Sequence, residues 1–315
     1  MNFDAKQVVD ELTTWIRNKI IYTLKKRGAV VGISGGLDSS VVAALCVKAI
    51  GSERVTGIAM PEKDSSPDSL MLARDLAEKL NIEFIVEDMT PGLEGMGAYR
   101  RRDEAVKKVF PEYEPGWDFK ITLQSNPLMG NSLNVFKGTV ANKKGLTLEK
   151  RLPLKEYLQI VAASNMKQRL RMTMLYNHAE KRNYIVAGTG NKNEHELGFF
   201  VKYGDGGSDL APILHLHKTQ VFQLAEALEI SREITSRPPT TDTYPGEVTQ
   251  EEFFYRLPFD TMDSIWEAVE EGVSVPQIAK KLNLEEEQVA RVISDINNKK
   301  KNTEYLRISP LRVKE

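Results

Sequence analysis

The stretch VVGISGGLDSSVVAALCVKAI, residues 30–50, sets a turn rich in serine and glycine between two apolar runs. The first run reads as a short buried strand and the second as a helix. Gly35 and Gly36 are adjacent in that turn, where they cost chain entropy and add no packing. What they offer is bare backbone. A turn that leaves a parallel strand and enters a helix presents unpaired N–H groups, and the helix dipole adds partial positive charge. Phosphate is the natural ligand of such a turn. Ser34, Ser39 and Ser40 add hydroxyl donors. Asp38 makes sense beside a phosphate cradle when a Mg2+ ion lies between them; the competing reading is a tight strand–helix turn that Asp38 caps. The spacing matches neither Walker A, which needs Lys-Ser/Thr after a second glycine, nor Gly-x-Gly-x-x-Gly.

Working outward, strands and helices alternate. Residues 4–27 place Val8, Val9, Leu12, Trp15, Ile16, Ile20 and Leu24 on one helical face, closed by Gly28. After the opening stretch, RVTGIAM predicts a second strand, residues 66–80 a second helix and EFIVEDM a third strand. This rhythm implies an α/β fold with a parallel sheet and right-handed crossovers. It breaks over 91–155, where Gly, Pro, Asn and aromatic residues are scattered without periodicity and AVKKVF alone hints at a short helix. A connection this long inside a domain implies a lid, a binding loop or an insertion. The rhythm resumes with a helix at 155–180, the strand NYIVAGT, a glycine-rich loop and a helix at 218–228. Residues 236–256 read as a second loop, and helices are predicted at 260–271, 275–282 and 286–298. The domain reading is therefore 1–90 with 156–255 as the α/β domain, 91–155 as an insertion and 256–315 as a C-terminal helical region.

The composition points to a small-molecule enzyme. The chain has 315 residues, 41% hydrophobic and 28% charged, with a formal net charge of −1. No global field favours nucleic acid or an anionic membrane. Cys46 is the one cysteine, so no disulfide forms within the chain, and its place in an apolar run predicts a buried structural thiol. No apolar run approaches the ~20 residues that span a bilayer, and the N-terminal residues lack a signal-peptide core, so a cytoplasmic protein is expected.

The string SGGLDSS resembles the pyrophosphate loop of the ATP-pyrophosphatase superfamily, whose members cut ATP between the α- and β-phosphates and adenylate an oxygen. The resemblance implies a doubly wound, Rossmann-like sheet and a pyrophosphate held by Ser34, Gly35, Gly36, Leu37, Asp38, Ser39 and Ser40. A second segment narrows the family. NMKQRLRMTMLYNHAEKRNYIVAGT, followed by GTGNKNEHELGFFVKYGDGGSDLAPILHLHKTQVFQLAEAL at 188–228, is similar to NAD synthetases of the ammonia-dependent type. That resemblance implies adenylation of deamido-NAD by ATP, amination by ammonia, Mg2+ as cofactor and a homodimer. Carried over by position, Asp38 and Glu194 look like the metal carboxylates, Lys218 like the phosphate-contacting lysine and Thr189 like a nucleotide contact. Arg169, Arg171, Phe199, Phe200, Lys202, Asp205 and Asp209 look like the acceptor-binding set. Each has a plainer rival: Glu194 as a helix-start carboxylate, Lys218 as a surface lysine, the arginines as ion-pair partners and the phenylalanines as core.

Three features depart from the family pattern. The 91–155 stretch lies where it could reshape the acceptor pocket, and an acceptor carboxylate other than deamido-NAD is the alternative reading. The family's C-terminal His-Lys pair is missing, with Tyr305 and Arg307 near that place. GTGNKNE is closer to glutamine-dependent relatives, yet the chain has no room for a glutaminase domain, so ammonia comes from solution or a separate glutaminase. His215 and His217 alternate in HLHK, but two histidines without a third ligand argue for surface or phosphate-adjacent roles. SVPQIAKKLNLEEEQVARVISDI has the cadence of a DNA-binding helix pair, but three glutamates at its second helix would repel phosphate, so a packing or dimer-supporting pair is expected. A tRNA-modifying enzyme with the same loop would favour a basic groove and often paired cysteines, whereas this chain has balanced charge and one cysteine.

Overall fold

Val30 and Val31 are both fully buried, on opposite faces of one parallel sheet. Val30 packs with Leu175 and Ala179, while Val31 joins the larger core on the other side. A strand covered on both faces reads as an unbroken apolar run, which is why AVVG carries no polar alternation. The structure, a computed structural model, describes residues 3–123, 126–130, 135–240 and 249–313.

The order of elements is α1 (Ala5–Asn18), β1 (Ala29–Gly32), α2 (Leu37–Ile50), β2 (Val55–Ala59), α3 (Pro67–Leu80) and β3 (Glu83–Val86). There follow α4 (Thr90–Gly95), α5 (Ala98–Val109), β4 (Asp118–Leu123), β5 (Phe136–Ala141) and β6 (Thr147–Arg151). Then come α6 (Leu154–Arg182), β7 (Ile185–Ala187), α7 (Lys192–Leu197), α8 (Lys218–Ala227) and α9 (Arg232–Thr235). The chain closes with α10 (Phe259–Glu270), α11 (Val275–Leu282), α12 (Glu286–Asn302) and α13 (Glu304–Arg307). The parallel sheet has the order β3-β2-β1-β7, so the chain winds one way from β1 to β3 and returns to the other side of β1 through α6. Helices α1, α2, α3 and α8 cover one face, and α6 covers the other. This is the expected doubly wound α/β architecture. The reversal at β1 leaves a crevice at the carboxyl ends of β1 and β7, the usual place for a ligand in such sheets.

The stretch after β3 differs from its reading as aperiodic. Ala98–Val109 is a full helix that buries Ala98, Tyr99, Arg102, Ala105 and Val106. Its apolar stripe is interrupted by Arg102, whose guanidinium is neutralised by Asp64 and Asp103, so the helical period is hidden by a buried charge. Beyond it, β4-β5-β6 form an antiparallel sheet. Phe119, Ile121 and Val140 turn inward onto Phe110, Tyr113 and Ile160, giving this sheet a core of its own. β6 reads as a charged loop in TLEKR because almost all of it is exposed.

Helices α10, α11 and α12 form the expected C-terminal helical part around Ile265, Ile278, Val289 and Val292. The pair with DNA-binding cadence therefore turns its apolar faces inward to packing. The Pro/Thr-rich loop falls partly outside the described residues, at 241–248, and its last residues form a π-helical turn at Glu251–Tyr255. Among the described residues, no helix is long and apolar enough to cross a membrane.

Cys46 is wholly buried on α2, and burial pushes its thiol up to about 12. The native protein should therefore resist a thiol-specific reagent at pH 8 and expose one reactive group in denaturant. Rapid labelling of the native protein would contradict this packing.

Candidate active site

The turn after β1 is held from within: the Ser34 N–H donates to Ser39 Oγ and the Gly36 N–H to Ser34 Oγ, both at 3.3 Å. Gly35 adopts φ +74°, and a Cβ there would lie 2.4 Å from the Ser69 carbonyl oxygen, so only glycine fits. Ser39 and Ser40 hydroxyls donate to the Gly36 carbonyl at 3.0 and 2.8 Å. Gly36 is the N-cap of α2 and offers no side-chain cap, so the helix's first N–H groups remain available for an anion. Ser34, Gly36, Leu37, Asp38 and Ser39 border the crevice, whereas Ser40 is buried beneath the turn.

Asp38 does not cap α2. Its carboxylate accepts from Lys218 Nζ and, at 3.1 Å, from Asn191 Nδ2. Lys218, only 1% exposed, is not a surface lysine; it opens α8 with its ammonium turned to Asp38. Glu194 lies in the first turn of α7, where Asn191 and Glu194 form a reciprocal capping box: Glu194 N–H donates to Asn191 Oδ1 at 3.0 Å and Asn191 N–H to Glu194 Oε2 at 3.2 Å. Burial and the Asp38 carboxylate push Glu194 up to about 8, against the pull of the Lys218 ammonium. Residues 38, 194 and 218, far apart in sequence, thus meet in one electrostatic cluster. Asn191, which joins Asp38 to Glu194, was not foreseen, though the N-x-x-E spacing of a capping box is visible in NKNE.

These groups open into a cleft of about 900 Å3. Thr189 and Arg171 lie on its wall, with Arg171 Nε donating to the Met60 carbonyl at 3.2 Å. Phe199 and Phe200 border it as well: Phe199 packs among Phe253, Phe254 and Tyr255, and Phe200 stacks on His195 with centroids 5.6 Å apart. Asp205 accepts the Val201 N–H at 2.6 Å and is pushed up to about 6 by burial. Asp209 borders the cleft, but its carboxylate accepts from the Val186 N–H at 2.8 Å and the Tyr176 hydroxyl at 3.2 Å, which pins its loop to β7. Arg169 and Lys202 are turned elsewhere. Exposed Arg169 donates to the Lys202 carbonyl at 3.3 Å, and Lys202 Nζ holds the C-terminal segment through the Tyr305 and Ile308 carbonyls at 2.8 and 2.7 Å.

His217, expected at the surface or beside phosphate, is not at the surface. It is 2% exposed, edge-on to Trp266 at 5.0 Å between centroids, and its Nδ1 lies 3.5 Å from Asp263. Among the described residues no group of three or more His, Cys, Asp or Glu side chains converges as a metal cage.

A family profile described as NAD synthase matches residues 8–110 and 137–308, most of the chain. The chain belongs to the NAD synthase family. It is 47% identical over 308 residues to the NH3-dependent NAD+ synthetase of Mesorhizobium japonicum, covering 98% of this chain and 96% of that one. Identity to the NH3-dependent NAD+ synthetase of Rhizobium meliloti is 45%, over 98% and 92% of the two chains. Among solved structures, the NMN synthetase of Francisella tularensis superposes with a TM-score of 0.64 at 25% identity, over the whole of both chains. The NH3-dependent NAD synthetase of Campylobacter jejuni shares the fold with a TM-score of 0.62, at 20% identity over 99% and 100% of the chains. In this NAD synthase family member the internal stretch left unmatched, 111–136, includes β4.

Gly35→Ala should test the turn. The clash with Ser69 and the positive φ predict a loss of roughly 1–3 kcal/mol of stability, read as a lowered Tm, together with weakened ATP binding. An unchanged Tm and unchanged ATP affinity would mean the turn is not built as described.

Proposed function

We propose that this protein is an ATP-dependent ligase that converts deamido-NAD to NAD+ with free ammonia. The observation that supports it most is the meeting of Asp38, Glu194 and Lys218 beside a glycine turn that opens α2 without a side-chain cap. The turn and the α2 N-terminus suit the β- and γ-phosphates of ATP, and Lys218 suits the charge that grows as pyrophosphate departs. The acceptor carboxylate attacks the α-phosphorus as its bond to the bridging oxygen of the β-phosphate breaks, giving an acyl-adenylate and pyrophosphate. The ammonia lone pair then attacks the carbonyl carbon. AMP leaves with the electrons of the C–O bond, and the nitrogen loses a proton. Holding the reactants in line and stabilising charge account for most of the acceleration.

Asp38 and Glu194 fit a divalent cation. They are two oxygen donors from separate segments, close enough that Asp38 helps push Glu194 up to about 8, a repulsion a dication would relieve. Phosphate oxygens and waters would complete its shell, as Mg2+ prefers. A dication held there by Asp38 and Glu194 would supply neutralisation of the triphosphate charge.

The acceptor side is supported by the opposite wall. Tyr157 borders the cleft and stacks on Phe136 of β5 with centroids 4.0 Å apart, so the small antiparallel sheet backs that wall. Arg171 and the rings of Phe199 and Phe200 offer charge and stacking surface to a dinucleotide. Cys46, the one cysteine, is buried and far from the thiolate range, so amide nitrogen reaches this chain as ammonia, free or from a separate glutaminase.

Purified protein given ATP, Mg2+ and ammonium should release equal AMP and pyrophosphate with deamido-NAD, and NAD+ should appear by mass spectrometry. Product formed instead from the mononucleotide acid, or from some other carboxylate, would replace the acceptor while keeping the ATP chemistry. Asp38→Asn, Glu194→Gln and Lys218→Met should each lower kcat by roughly 10²-fold or more, the scale of losing one preorganised electrostatic group. Near-normal turnover in any of them would remove that residue from the mechanism.

A further inference from the structure

Asp263 belongs to α10, in the C-terminal helical part, and its carboxylate is 1% exposed. It does not border the cleft, and no residue of α10 does. Yet both of its oxygens are directed at the two segments that carry Glu194 and Lys218. Oδ1 accepts from Asn193 Nδ2 at 2.5 Å, and Asn193 Oδ1 accepts the Lys218 N–H at 2.9 Å. Oδ2 accepts the Thr219 N–H and the Thr219 hydroxyl, each at 3.0 Å. Asn193 directly precedes Glu194, and Thr219 directly follows Lys218.

The donor and acceptor identities leave one solution. The Lys218 N–H donates only, and a carboxylate accepts only, so the Asn193 amide must present oxygen to Lys218 and nitrogen to Asp263. An anion at the start of α8 is also favoured by that helix's dipole and by its unpaired first N–H groups. A buried charge with this set of partners fixes two elements against each other far more tightly than apolar contact does.

We propose that Asp263 is a positioning residue that holds α7 and the start of α8 at the separation which aims Glu194 and Lys218 at Asp38. The role in turnover rests on the function proposed above; the role in ATP binding does not. The C-terminal helices thereby take part in the phosphate half of the site without touching substrate.

Exchanging the two side chains tests this. Asp263→Asn turns one acceptor into a donor, so the new amide meets Asn193 donor to donor, or the flipped Asn193 meets the Lys218 N–H donor to donor, or the new amide nitrogen meets the Thr219 N–H. Adding Asn193→Asp restores the pattern, because an aspartate at 193 accepts from both Lys218 and the new amide. Asp263→Asn, checked by melting to be folded at the assay temperature, should bind ATP with Mg2+ about 10- to 100-fold more weakly by calorimetry and lose kcat on the same scale. The KM for the acceptor should stay within about twofold, since Asp263 lies away from that wall, and the double exchange should recover most of both losses. A role in stability alone would lower the Tm while folded protein kept its kcat and ATP affinity, and that result would overturn the proposal. So would a double exchange as impaired as the single one. Should Asp263→Asn fail to fold, Asn193→Ala carries the comparison, and unchanged ATP affinity there is equally fatal. Because ATP affinity is read separately, an acceptor other than deamido-NAD would refute the function and still decide Asp263.

Discussion

The buried pairing of Lys218 with Asp38 is the constraint around which the site is organised. Lys218 opens α8, where the helix dipole repels a cation, and it has almost no access to water. An ammonium so placed needs an anion, and leaving it unpaired would cost about 3–5 kcal/mol. Asp38 supplies that anion from the first turn of α2, so the starts of α2 and α8 must come together. The two helices also share one apolar core over the sheet, through Val41, Leu45, Val221 and Leu224. Core packing and the ion pair therefore demand the same geometry. Glu194 then enters a neighbourhood that already holds a carboxylate, which explains why it resists ionisation and why the site is disposed toward positive charge.

The turn after β1 was legible in the sequence because it depends on local rules. Two glycines, three serines and an aspartate between a strand and a helix require bare N–H groups whatever surrounds them. The parallel rhythm was equally local: β1, β2 and β3 and their helices lie within a few residues of where the apolar runs put them. What escaped detection depends on partners distant in the chain. α5 lacks a clean stripe because Arg102 occupies a buried position, answered by Asp64 from the β2–α3 connection. β6 looks like a charged loop because its register is fixed only by β5. His217 reads as a surface or phosphate-adjacent residue in HLHK, and only Trp266 and Asp263 show it to be interior.

The acceptor side is assembled differently. Lys167, from the middle of α6, bridges Glu62 and Asp64 at 2.7 and 2.8 Å, and Tyr99 donates to Glu62 at 2.7 Å. Arg102 pairs with Asp64 and Asp103, and Tyr113 donates to Asp103 at 3.0 Å. Removing so many charges from water gains little net stability. What such a cluster supplies is registry, because each carboxylate has two donors from separate positions: Tyr99 and Lys167 for Glu62, Lys167 and Arg102 for Asp64, Arg102 and Tyr113 for Asp103. It ties the segment after β2, which lines the cleft at Met60, Pro61, Ser65 and Ser66, to α5 and α6.

The two halves therefore differ in what they can distinguish. Backbone N–H groups, helix starts and paired carboxylates read phosphate and charge, and those are the same in every reaction that cuts ATP to AMP and pyrophosphate. They cannot tell one acceptor from another. Under the proposed function, discrimination falls to other side chains that line the cleft: Tyr157 with the sheet behind it, the rings at Phe199 and Phe200, and Tyr305 and Leu306 of α13. These sit on a loop, a short C-terminal helix and the start of a long helix, where no positive φ of the kind found at Gly35 restricts the residue. A fold shared with both an NAD synthetase and an NMN synthetase is what such a division allows. On that reading, the antiparallel sheet matters to the reaction through Tyr157, the cleft residue it backs by the stacked ring of Phe136.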